Sequence, residues 1–193
     1  LAVNNTDAAV ASAAMAMIGG AAISSFSDGT TEAEIAESLY EDTVETLLCA
    51  SRWTFATAQA SLNHVAAAPT GRFSDSWQLP TETILQLHAV TSNDYRIEFD
   101  VYGSQIYCDY DESNTLVADY TYRPAESLWL PAFKTAVQLQ LAAFFAPALR
   151  ADNDLAVLMQ NRADTALRMA KLQDSQQRTS KKVTTNRFLA QRY

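Results

Sequence analysis

Apolar residues recur at helical spacing at both ends of the chain and alternate with polar ones in the stretch between. In one N-terminal run, Ile35, Leu39 and Leu47 share a stripe widened by Tyr40, Val44 and Leu48. Glu37, Glu41, Asp42 and Glu45 lie mostly outside it. The turn Ser27-Asp28-Gly29-Thr30 precedes this run, and Thr31 with Glu34 has the form of a capping box. The pattern predicts a helix from Thr31 to Arg52. It leaves through Trp53 and Phe55, two large rings expected to plug the junction with whatever follows. Upstream, Thr6 to Ile18 is Ala-rich, with Val10, Ala14, Met17 and Ile18 on one face and Gly19-Gly20 as a stop, which predicts a first helix packed closely on a neighbour.

Beyond Phe55 the period changes. Segments near Ile84 to Val90, Tyr95 to Tyr102, Gln105 to Cys108 and Thr115 to Tyr122 are short, rich in β-branched and aromatic residues, and separated by turn residues. Ile97, Phe99 and Val101 alternate with Arg96, Glu98 and Asp100, the mark of a half-buried strand. Antiparallel hairpins are expected. The stretch from Ala66 to Pro80 carries Arg72, Phe73 and Trp77 among Pro, Gly and Ser. It reads either as an exposed contact loop or as a cover for the small sheet.

Helical spacing returns at Pro131. Phe133, Val137, Leu141 and Phe144 form one stripe until Pro147 interrupts, and Leu155, Leu158, Met159, Ala163, Ala166, Leu167 and Ala170 form the next. The expected fold is α+β, mainly α: an antiparallel four-helix bundle from residues 1–55 and 131–176, with a small antiparallel β domain inserted at 56–130 and an extended basic C-terminal arm at 177–193.

Charge alters this picture at one point. The formal net charge is −8, yet Arg178, Lys181, Lys182, Arg187 and Arg192 occupy the arm with no acidic residue, so the rest of the chain is more acidic still. An acidic body argues against wrapping nucleic acid, and a basic arm argues for an acidic partner surface. Phe188, Leu189 and Tyr193 interleave with these cations. The arm therefore reads either as a solvated terminus or as a segment that docks in extended form, apolar residues in pockets and cations on carboxylates. Two cysteines, Cys49 and Cys108, form no disulfide framework and are expected to be buried, in keeping with a reducing compartment. No apolar run is expected to span a bilayer, and the first residues lack the positive stretch of a signal peptide.

Candidate chemistry is sparse. His64 and His88 have no partner at metal-ligand spacing. The run Asp109 to Asn114 begins like a calcium loop but has Asn114 where glycine and Tyr120 where glutamate are needed, so a hairpin turn is expected. Gly19-Gly20 follows a helix and has no Lys-Ser after it, unlike a phosphate cradle. Ser24 and Ser25 lie in no nucleophile motif, and Glu41, Asp42 and Glu45 read as a solvated helix face. No enzyme, cofactor or metal is expected.

The succession Ala13 to Gly19, Ile23-Ser24-Ser25-Phe26, Ala36 to Leu48, Arg52-Trp53-Thr54-Phe55, Leu79-Pro80, Ile106-Tyr107, Pro131-Ala132-Phe133 and Arg187-Phe188-Leu189 resembles the head-to-tail adaptor proteins of tailed bacteriophages. That family includes tail tubular protein A or gatekeeper proteins and the adaptors of gene transfer agents. The resemblance spans nearly the whole chain and rests on the order and spacing of motifs. It implies a structural adaptor, made in the bacterial host cytoplasm and residing in the virion neck. It further implies a self-associated ring, of twelve copies in similar proteins, below the portal protein. The arm residues Arg178, Lys181, Lys182, Arg187, Phe188, Leu189, Arg192 and Tyr193 would contact the portal. The next tail or nozzle component would dock distally, Arg72, Phe73 and Trp77 being candidates for that contact. DNA would pass through the channel without specific binding, and no membrane is involved. Two rivals remain: a small DNA-binding or packaging regulator using the basic arm, and a cell-wall hydrolase using Glu41 and Glu45.

Overall fold

The computed structural model describes residues 6–67 and 69–177. The arm from Arg178 to Tyr193, with every portal contact expected of it, lies outside the described residues.

Thr6 caps the first helix, α1 (Asp7–Met17), its hydroxyl accepting from the Ala9 amide. Gly19 then turns with φ +70°, and the Arg150 guanidinium donates to the carbonyls of Ile18 and Gly19. A cation is thereby placed on the carbonyl end of α1, where the helix dipole favours it. The positive φ favours glycine here, and a Cβ at this position would also push the tip of the Arg150 guanidinium, 2.7 Å away, off the carbonyls. In the loop that follows, Asp28 accepts from the Ser24 and Ser25 amides and from the Ser24 hydroxyl. The two amides, and then the hydroxyl, hold its carboxyl below the ordinary 3.8. Because the folded-state pKa is depressed, the contact persists above the unfolded value and is lost as pH falls through the folded one. In a pH titration followed by NMR, the Ser24 and Ser25 amide resonances are expected to move with a midpoint below 3.8. A midpoint at or above it would show that the loop does not hold this carboxylate.

The second helix, α2 (Thr31–Cys49), is capped one residue earlier than expected. Thr30, not Thr31, is the N-cap, accepting from Ala33 N, and Ala33 stands where a capping box needs Glu. The third, α3 (Pro131–Arg150), has proline in its first turn, continues through Pro147 and ends on Ala151 in the left-handed region. Pro147 was expected to interrupt it, but this close to the end the missing N–H costs a single ladder bond. The fourth, α4 (Asn153–Gln176), is capped by Asp152, which accepts from Leu155 N.

These helices do not form the expected antiparallel four-helix bundle. α3 is the hub: α1, α2 and α4 pack on it, whereas α1 barely meets α2 and α4 has α3 as its principal partner. Composition explains this. α3 buries Phe133, Val137, Leu141 and Phe145 along one stripe and Ala136, Ala142, Ala143 and Ala146 on its other sides, while α4 buries mainly Met159, Ala163 and Ala170 and leaves Val157, Leu158, Met169 and Leu172 exposed. α3 is also long and apolar enough to cross a membrane by length and composition, contrary to expectation. It packs against three helices, as the core helix of a folded domain does.

Nor is the β part a small insert of hairpins. It is a second body of two four-stranded antiparallel sheets with its own core, which makes the fold α+β with two β layers beside the helical one. The first sheet orders its strands β1 (Thr57–Ser61), β8 (Leu116–Tyr122), β4 (Ile84–Ser92), β5 (Tyr95–Arg96). The second orders β2 (Asn63–Val65), β3 (Asp75–Gln78), β7 (Gln105–Cys108), β6 (Asp100–Tyr102). Leu62 alone separates β1 from β2, and Ile97 to Phe99 separate β5 from β6. Two strands thus bend from one sheet into the other. Leu62 N donates to Leu116 O at 2.8 Å and Ile97 N to Val90 O at 3.0 Å, carrying the ladders through both corners. Pairing runs β1-β8-β4-β5 in one sheet and β2-β3-β7-β6 in the other, and the chain itself, passing from β1 into β2 and from β5 into β6, joins them into a barrel-like ring. Leu62, Trp77, Val90, Ile106, Leu116 and Tyr120 fill it.

Two local expectations change with this topology. Tyr95 to Tyr102 is not one alternating strand: it breaks at the corner, so Ile97 is buried while Val101 is exposed. The Asp109 to Asn114 run connects the two sheets rather than closing a hairpin. Within it Asp111 accepts from the Ser113 amide and hydroxyl and from Asn114.

Candidate functional site

The junction between helices and barrel is built from the end of α2 and the approach to α3. Trp53 is fully buried, and its indole N–H donates to the Leu47 carbonyl at 2.9 Å. Its ring lies 4.9 Å from Phe133 and 5.8 Å from Phe55, and Trp129 meets Phe133 edge-on at 5.2 Å. Four aromatic rings therefore occupy the seam in tilted and edge contacts, the geometry that ring quadrupoles favour. Phe55 is partly buried against the same helical core.

Around this plug lies a polar clasp with no sequence signal. Arg123, just past β8, donates to both carboxylate oxygens of Glu41 on α2, at 2.7 and 3.1 Å, and to Glu126 at 2.6 Å. Its guanidinium also lies over the Trp129 ring at 5.3 Å. The Tyr40 hydroxyl completes the set, donating to Glu126 at 3.2 Å. Burial, then the Glu126 charge, push the Tyr40 pKa far above the ordinary tyrosine range. Burial works against the Arg123 charge, but the bonds from Glu41 and Glu126 prevail and hold it protonated. Glu41, expected on a solvated face, is thus a clasp between α2 and the chain leaving the barrel. On the other flank Arg52 pairs with Asp119 of β8, and the Thr54 amide and hydroxyl donate to the Asp174 carboxylate of α4 at 2.9 and 2.6 Å.

Along the outer side of α2 runs a groove. Leu39, Thr43, Leu47 and the half-exposed Phe144 of α3 line an apolar section of about 340 Å³. Asp42 and Thr46 are shared with a section that includes Glu45, Cys49 and Leu85, and Leu85 leads on to a section at the mouth of the barrel with Glu82 and Val101. Among the described residues, the charged groups lining these sections are carboxylates.

The remaining site residues expected from sequence separate. Phe73 and Trp77 are buried, Trp77 within β3 with its N–H donating to Tyr110 O at 2.9 Å, so both rings cover the sheet rather than present a contact loop. Of the three, Arg72 stays exposed, its guanidinium 4.6 Å above the Phe73 ring and paired with Asp100 at 3.0 Å. Cys49 is exposed, contrary to expectation, because it falls on the groove side of the last turn of α2, whereas Cys108 lies inside the barrel.

His64 Nε2 meets Asp75 Oδ1 at 2.9 Å, but the Ser74 hydroxyl donates to the same carboxylate, so the acid lies between serine and imidazole and no nucleophile faces a base. His88 Nε2 pairs with the Thr121 hydroxyl at 2.7 Å within the first sheet. The Tyr120 hydroxyl bonds Glu82, and burial with that bond pushes its pKa up to about 12. Among the described residues no three of His, Cys, Asp and Glu are placed to hold a metal ion. No protein-family model matches the chain, and no curated protein matches it.

Proposed function

We propose that this chain is a non-enzymatic structural adaptor of a tailed phage or gene transfer agent, associating with its own copies in a ring below the portal and extending the DNA channel. The observation that carries this reading is the outer face of α4. Leu158, Met169 and Leu172 recur there at helical spacing, each about half exposed, with Arg162 beside them. Large apolar side chains gathered on one helix face and rimmed by charge mark a protein-association surface. The groove along α2 is a second and unlike surface, and two unlike surfaces on one chain are what a closed heterologous ring requires. The acidic body suits a channel wall, since like charge discourages DNA from sticking. The portal and the next tail component are the remaining partners of this reading.

Purified chain mixed with portal protein is expected to give ring-bearing assemblies in electron microscopy, and Leu158→Asp with Met169→Asp is expected to lower their yield at least tenfold. Wild-type protein that never assembles on a portal, together with virion assembly unaffected by removal of residues 178–193, would overturn the proposal.

A further inference from the structure

The groove along α2 is an apolar trough with acidic sides, and the chain itself carries a segment of the complementary kind. Asp42 and Glu45 line it between Phe144 at one end and Leu85 at the other. Along its whole length α2 bears six carboxylates and no cation. The segment from Arg178 to Tyr193 has five cations, no carboxylate side chain, and Phe188, Leu189 and Tyr193. We propose that this segment docks along the α2 groove of its own chain, placing apolar side chains against Leu39, Phe144 and Leu85 and cations against Asp42 and Glu45.

Position and length support an intramolecular contact. Gln177, the last described residue, lies within 3.4 Å of Thr54, and Asp174 is bonded to the same threonine. The chain therefore leaves α4 at the Cys49 end of α2. An extended chain advances ~3.3 Å per residue against ~1.5 Å for a helix, so about nine residues match the full length of α2 and the segment is long enough. Joining segment and groove in one molecule raises the effective concentration to about millimolar, which favours the chain's own segment over a second copy's at ordinary protein concentrations. Apolar anchors with flanking cations on carboxylates are a familiar mode of extended-segment recognition. This docking shares its groove with the second ring surface of the adaptor reading and concerns the isolated chain, before copies or portal are met.

Cys49 supplies the probe, being exposed in the groove while Cys108 is buried. The full chain labelled at Cys49 with a benzophenone maleimide and irradiated is expected to give a cross-link to a peptide from 178–193 in a product of monomer mass. Lys181→Glu, Lys182→Glu and Arg187→Glu, which lie outside the described residues, are expected to lower that yield at least fivefold, as is raising the salt. Cross-links confined to residues 6–177, yields indifferent to the charge reversals, or segment cross-links only in dimer-mass product would each overturn it, the last by assigning the groove to a second copy. Portal assembly is read in a separate experiment, so either proposal can fail alone.

Discussion

Trp53→Ala is expected to cost about 3–5 kcal/mol of stability, the loss that follows when a large buried ring is removed and its surroundings relax incompletely. Two features place Trp53 at the upper part of that range. Its indole N–H is bonded to the Leu47 carbonyl near the end of α2, so truncation also strips a partner from a buried acceptor. Its ring touches both Phe55 and Phe133, so the void would open where α2, α3 and the first strand converge. Urea unfolding followed by fluorescence and circular dichroism checks this. A loss below about 1 kcal/mol would show that the seam closes without Trp53.

The second large effect is expected at Arg123. Arg123→Met keeps much of the side-chain volume but leaves Glu126, with its carboxylate only 13% exposed, facing Tyr40 without a cation. Breaking a largely buried pair from one side costs about 3 kcal/mol, most of it from the charge left behind. The bond to Glu41 contributes less, because that carboxylate is half exposed and screened by water. Combining Arg123→Met with Glu126→Gln is therefore expected to recover most of the loss, whereas Arg123→Met with Glu41→Gln is not. If all three variants unfold at the same urea concentration as the wild type, the clasp contributes nothing to holding barrel and helices together.

Much of the helical half was legible because its signals are local. The stripe Ile35 to Leu48 and the Pro131 start each depend on residues within a turn or two. How the helices pack was not legible. An apolar stripe says that a face is covered, but α3 is apolar on several sides, and a stripe count cannot distinguish a hub from an equal member of a bundle. β1, β2 and β3 gave little signal: Thr57 to Val65 and Asp75 to Gln78 are short and carry Gln, Asn, His, Ser and Asp among their apolar residues. Their pairing is long-range, Thr57 facing Thr121, so nothing near them in the chain marks them as strands. The clasp was hidden for the same reason. Glu41 and Arg123 are 82 positions apart, and on its own Glu41 is one of several carboxylates on a helix surface. Phe73 and Trp77 show the converse, since aromatic rings in a Gly- and Ser-rich stretch fit burial as well as exposure.

The bent strands bear on how copies of this chain can meet. A sheet edge is a template for another chain's strand, and natural proteins blunt such edges by keeping them short. Here the strands at the four sheet margins, β1, β2, β5 and β6, have five, three, two and three residues, and the corner at Leu62 or Ile97 turns each away before a longer ladder forms. A neighbour therefore finds no lengthy backbone rail to extend. In the ring proposed above, contact between copies would fall to side chains on helix faces, where an apolar-to-charged change alters the surface and leaves the buried core in place.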